Sequence, residues 1–313
     1  MGSLLDTFTD ATPAMATGVV VVAGDRAVVH VASDLPGGAF APSTADRGLA
    51  AHVPADALYY AEGGNVGPGL AALVSGIKDA VRSIPEVPTD ELDQVESALG
   101  ADLEELVSWI GDGALAIGWD GEELYAGLAL IPTDPDAARQ RLEQLASFAR
   151  LATLDPTSGI SVSQGTVAGT EVTTIHVAAP LDAGMPVDPT LPIPTAPIPT
   201  DLALQYAIGD DLVLIGVGER FVERSLGLEA VDALASSERF AAAVAELGGS
   251  SNAGMTYLDL AGIRTAIEAA LPMEAGMLGY DEVRPYLEPF DYLAQVSVVE
   301  GDTLVSRAAL VLK

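Results

Sequence analysis

The chain has 313 residues with 45 acids against 14 bases, a net charge of −31; such a field repels nucleic-acid phosphates and anionic lipid surfaces and argues against nucleic acid as a partner. Apolar residues make up 49% of it, enough for a large core and too many for a disordered polyanion. There is no cysteine, so disulfides and thiolate metal sites are excluded, and no apolar run approaches the roughly 20 residues of a membrane-spanning helix.

In chain order, Val19 to Val22, the turn Ala23-Gly24-Asp25-Arg26 and Ala27 to Ala32 read as a hairpin, because glycine tolerates positive φ and aspartate satisfies local backbone donors. Leu58-Tyr59-Tyr60-Ala61-Glu62 follows as a strand, and Leu70, Leu73, Val74 and Ile77 recur at the spacing of one helix face. A second hairpin turns at Asp120-Gly121-Glu122, between Leu115–Trp119 and Leu124–Leu130. Asp134-Pro135 places a capping acid before a proline suited to a first helical turn. Leu142, Leu145, Ala149 and Ala152 then give that helix, about four turns long, one apolar face. Ile160 to Val167 and Glu171 to Ala178 flank Ala168-Gly169-Thr170 as a β-branched hairpin.

Between 180 and 200, Pro186, Pro189, Pro192, Pro194 and Pro197 remove backbone donors and predict an extended polyproline strap. Beyond it come a hairpin (Leu204–Ile208, Leu212–Val217), a helix opened by Ser236-Ser237-Glu238 and ended by Gly248-Gly249, and a strand at Met255–Asp259. A helical stripe through Ile263, Ala266, Ile267, Ala270 and Leu271 and a hairpin around Glu300-Gly301-Asp302 complete the chain.

Hairpin, tyrosine-bearing strand, striped helix and closing hairpin thus recur in the same order in both halves. The expectation is an α+β fold of two related antiparallel sheet-plus-helix repeats joined by a proline-rich strap. The units would be 1–179 (first repeat with an extra helix and hairpin), 180–200 (linker) and 201–313 (second repeat).

Three stretches carry a family likeness. Val53-Pro54-Ala55-Asp56-Ala57-Leu58-Tyr59-Tyr60-Ala61-Glu62, the passage Asp102 to Leu106 through Trp109 to Ile117, and Thr133-Asp134-Pro135-Asp136-Ala137 together resemble a bacterial domain-of-unknown-function family of the DUF 3352 type. The resemblance implies an extracytoplasmic domain, usually membrane-anchored, with no assigned catalytic residues. Met1-Gly2-Ser3 is similar to a cloning-derived start, and an export signal or anchor upstream is the matching expectation.

Catalytic patterns are sparse. His30, His52 and His176 lack ligand spacing, and neither His-Glu-x-x-His nor Gly-x-Ser-x-Gly occurs. Gly216-Val217-Gly218 lacks the third glycine and the parallel βαβ setting of a dinucleotide site. Acidic pairs at hairpin turns read as turn chemistry, with a weak calcium site as the sharper alternative. Glu62 and Asp259, at corresponding strand ends, are the carboxylates a hydrolase would use. No catalytic residue, metal site or cofactor is assigned.

The aromatic residues Tyr59, Tyr60, Trp109, Trp119 and Tyr125, with Leu70, Leu73 and Ile77, are the candidates for lining a groove between sheet and helices. The expected function is a non-catalytic extracytoplasmic module that binds a protein or envelope component. The alternative is a carrier or sensor of an apolar ligand such as lipid in that groove.

Overall fold

The computed structural model describes residues 15–35, 41–82, 96–97, 100–155, 158–178, 201–270 and 280–313. Strand-forming runs follow the valine, isoleucine and leucine stretches closely. They give β1 (Ala16–Ala23), β2 (Arg26–Asp34), β3 (Ala57–Gly63), β4 (Ile110–Trp119), β5 (Leu124–Pro132), β6 (Ile160–Val167) and β7 (Thr170–Ala178). The remaining strands are β8 (Asp201–Ile208), β9 (Val213–Val217), β10 (Gly254–Leu258), β11 (Phe290–Glu300) and β12 (Thr303–Leu312). Among the described residues six helices accompany them: α1 (Val66–Arg82), α2 (Pro135–Ala152), α3 (Arg220–Leu226), α4 (Glu238–Leu247), α5 (Leu260–Ala270) and α6 (Tyr280–Leu287).

All twelve strands join one antiparallel sheet in the order β1-β2-β12-β11-β10-β3-β4-β5-β9-β8-β7-β6. This corrects the expected pair of sheet-plus-helix repeats, while the α+β character stands. The opening hairpin pairs through β2 with β12, the last strand of the chain. The hairpin β8–β9 pairs through β9 with β5 of the N-terminal half, and β3 pairs directly with β10. The physical reason is edge pairing: each half leaves open strand edges that its own residues do not fill, and their backbone groups are satisfied by strands from far along the chain. The proline-rich segment 180–200 lies wholly outside the described residues.

Period-two alternation sorts the strands' side chains onto two faces. On the first, Tyr60, Ala114, Ala116, Tyr125, Ala129, Leu214, Met255, Tyr257, Ala294 and Ala309 are buried beneath Leu49, Val53, Phe221, Leu234, Phe240 and Leu247. Alanine recurs along the middle strands because bulky tyrosines and phenylalanines fill the layer above them. At Gly127, for example, an added Cβ would lie 2.0 Å from the Phe221 ring. On the second face, Trp109, Leu130, Ile175, Tyr206 and Val213 pack against Ala138, Leu142, Ala146 and Ala149 of α2. The capping reading of α2 is seen directly: Asp134 Oδ1 accepts from the N–H groups of Asp136 at 3.0 Å and Ala137 at 3.1 Å. For α4, Ser237 stands at the N-cap without a side-chain capping bond, and Gly248 ends the helix at φ 128°.

Candidate functional site

A concave apolar surface lies on the first face, where the segment before β3 and helix α4 come together above β3 and β10. Gly48, with φ 63°, turns the chain into a short 3-10 turn, Leu49–His52, a backbone conformation open to glycine and strained for other residues. Leu49, Ala50 and Ala51 form one wall of the pocket, Ala241, Val244 and Ala245 of α4 the other, and Phe240 and Met255 the floor; the cavity measures about 420 Å³. The alanines make the space, since their side chains end at Cβ where a leucine would fill it. Glu62 and Asp46 bring carboxylates to the pocket lining.

A buried polar network holds these walls. The Arg47 side chain is wholly buried, with Nε 3.1 Å from Asp112 Oδ2, a charge contact without hydrogen-bond alignment. Its Nη1 donates to the Asn252 carbonyl at 2.7 Å and its Nη2 to the Ser43 carbonyl at 2.8 Å. Asn252, itself fully buried, donates from Nδ2 to Glu62 Oε1 at 2.6 Å, and the Tyr60 hydroxyl donates to Glu62 Oε2 at 2.7 Å. Burial, reinforced by the Glu62 charge, pushes the Tyr60 phenol well above its ordinary value. The network satisfies donors that would otherwise be costly in this interior, and it ties segment 43–47 to the β3–β10 seam. Both Glu62 oxygens are already engaged, which suits a fixed negative wall better than a mobile base.

A second polar cluster lies on the same face. Arg224 grips Asp56 at 2.8 and 3.1 Å, the Tyr125 hydroxyl donates to the same carboxylate, and the guanidinium sits 5.0 Å from the Tyr125 ring centroid. The Tyr125 phenol is raised by burial and by its bond to Asp56. Asp259 serves structure as well, accepting from the Gly262 N–H at 2.6 Å and from Arg239 at 2.8 Å. At the β4–β5 turn Asp120 accepts from the Glu122 and Glu123 N–H groups at 2.9 Å, and Arg220 reaches Asp120, Glu122 and Glu123. Among the described residues no group of three His, Asp or Glu side chains is arranged to hold a metal ion.

The aromatic candidates do not converge. Tyr60 and Tyr125 are buried in the first-face core. Trp109 is buried in the second-face cluster, where Leu70 packs against it, and its indole donates to the Leu106 carbonyl at 2.7 Å. Tyr59, Leu73 and Trp119 are half-buried, and alternation puts Tyr59 and Trp119 on the second face. The Ile77 side chain lies outside the described residues. What sequence reasoning missed are Arg47, Leu49, Asn252 and Met255. They carry no shared motif, because contacts such as Arg47 to Asn252 span 205 positions.

These features define an acidic α+β protein built on one long antiparallel sheet, with helical layers on both faces and an apolar pocket under one of them. The family DUF3352, described as a protein of unknown function, matches residues 17–310, and the chain belongs to it. No curated protein matches the chain. Crystal forms IV and I of TP0453 are similar to it at 10% and 11% identity, covering 83% of this chain and 92% of theirs, with TM-scores of 0.30 and 0.29. Likeness at that level carries no argument about function.

Proposed function

We propose that the protein is a non-catalytic, extracytoplasmic binding module of the bacterial cell envelope that holds a small apolar envelope component in the pocket between the Leu49–His52 turn and α4. The observation that supports this reading is the pocket itself: about 420 Å³ walled by Leu49, Ala50, Phe240, Ala241, Val244 and Met255, inside the size range of small-ligand sites. Glu62 and Asp46 favour a ligand whose polar end is a cation or hydrogen-bond donor, such as an alkyl amine. The non-catalytic reading draws support from Glu62 and Asp259, whose oxygens are engaged by neighbouring donors. Envelope placement is supported by the family resemblance of Val53 to Glu62.

The test is native mass spectrometry of purified protein together with titration of dodecylamine against a fluorescent apolar dye. A copurifying apolar mass, or dye displaced by dodecylamine, supports the proposal. Ala241→Trp and Ala245→Trp fill the pocket from its exposed rim and should each abolish binding with little change in Tm. A clean apo mass with no dye uptake would reject it.

A further inference from the structure

The sheet has two free edges among the described residues, β1 and β6, and they differ in chemistry. Edge strands are ordinarily blunted by charge, proline, bulges or short length. The β6 edge carries Ser161, Ser163, Gln164 and Thr166, with Gln164 bonded to Glu171. The β1 edge carries no such protection. Ala16–Ala23 reads ATGVVVVA, eight residues without a charge or a proline, in unbroken register with β2. Val19, Val20, Val21 and Val22 are 55, 63, 49 and 76% exposed, so both faces of the strand meet solvent.

The register decides which backbone groups are open. Ala23 pairs with Arg26 across the Gly24-Asp25 turn, and the Asp34 N–H donates to the Met15 carbonyl at 3.2 Å. Hydrogen-bonded pairs alternate in an antiparallel ladder, so the odd-numbered residues bond β2. The N–H and C=O groups of Ala16, Gly18, Val20 and Val22 therefore point away from the sheet.

We propose that this edge docks an extended segment of another protein, with an uncharged β-branched middle and lysine or arginine at its ends, as one more antiparallel strand of the sheet. Main-chain bonds to Ala16, Gly18, Val20 and Val22 supply the attachment, and the valines supply apolar contact on both faces. Charge selects the partner over a second copy. The chain carries −31, which a second copy would double. Basic flanks instead meet Asp34 and Asp302, exposed beside the Met15 end, where the Leu35 N–H bonds the Asp302 carbonyl. Asp25 stands at the other end, shared with Arg26. The inference does not depend on the pocket, which lies elsewhere on the first face.

The probe is a synthetic peptide, KKTVTVTVKK, titrated by fluorescence anisotropy against the full chain at low salt, beside its acidic twin DDTVTVTVDD. The lysine peptide should bind at least about tenfold more tightly than the acidic one and lose affinity as salt rises. Val20→Pro removes an outward N–H without breaking a bond to β2 and should abolish binding at unchanged Tm. The double variant Val20→Lys with Val22→Lys keeps the backbone donors and should weaken only the lysine peptide. Absence of binding, equal binding of both peptides, or full binding by Val20→Pro would overturn the proposal. So would a dimer of the unliganded protein that Val20→Pro dissociates, because the edge would then belong to a second copy.

Discussion

Tyr60 and Tyr257 face each other across the seam where β3 meets β10, and both meet one ring. Phe240 lies 5.6 Å from Tyr60 at 87° and 5.3 Å from Tyr257 at 78°. A single helix residue thereby clamps strands from the two ends of the chain through edge-to-face contacts.

Phe240→Ala should therefore cost about 3–5 kcal/mol, the range for removing a buried phenylalanine. Urea denaturation measures it. A loss below about 1 kcal/mol would mean that the site collapses freely and that the clamp is not a keystone.

Alkaline pH should unfold the protein through its tyrosines. The Tyr60, Tyr125 and Tyr257 phenols are all raised, first by burial, so the unfolded chain ionises before the folded one. Stability is then full below about pH 10 and falls as pH climbs toward the higher folded values, by about 1.4 kcal/mol per unit for each such tyrosine. Urea midpoints recorded across that window should fall steeply in the parent and less steeply in Tyr257→Phe.

Asp56→Ala leaves the Tyr125 hydroxyl, on a residue only 2% exposed, without its acceptor. The expected loss is about 2 kcal/mol, the cost of a buried unsatisfied donor. Arg224→Ala, at a half-exposed guanidinium, should cost less than about 1 kcal/mol. Equal losses in the two variants would show that the ion pair, not the phenol, holds the cluster.

At the β6–β7 turn Ala168 has φ 49° and Gly169 φ 85°. A two-residue turn with positive φ at both positions favours asparagine followed by glycine. Ala168→Asn should raise stability by about 0.5–1 kcal/mol, read as a rise in Tm, and an unchanged or lower Tm would count against strain at this turn.

Much of the local structure was legible in the sequence. The Asp134-Pro135 start of α2, the glycine-bearing turns at 24, 121, 169 and 301 and the apolar face through Leu142 and Ala149 follow from capping, positive φ and helical spacing, which act within a few residues. The site was not legible. Tyr60 and Tyr125 went to one face with Phe240 and Phe221, Trp109 to the other with Leu142, and alternation along a strand cannot tell which face a helix far along the chain will cover.

Acidity, the lack of thiol chemistry, the α+β content and the starts of most strands and helices are local matters, because charge, capping and periodicity are properties of neighbouring residues. That β2 joins β12 and β9 joins β5 in one sheet, and that Arg47, Asn252 and Glu62 meet beside an alanine-walled pocket, depends on contacts made across the folded chain. Strand edges accept any partner of fitting register, so the choice falls to side-chain packing between segments some 200 residues apart.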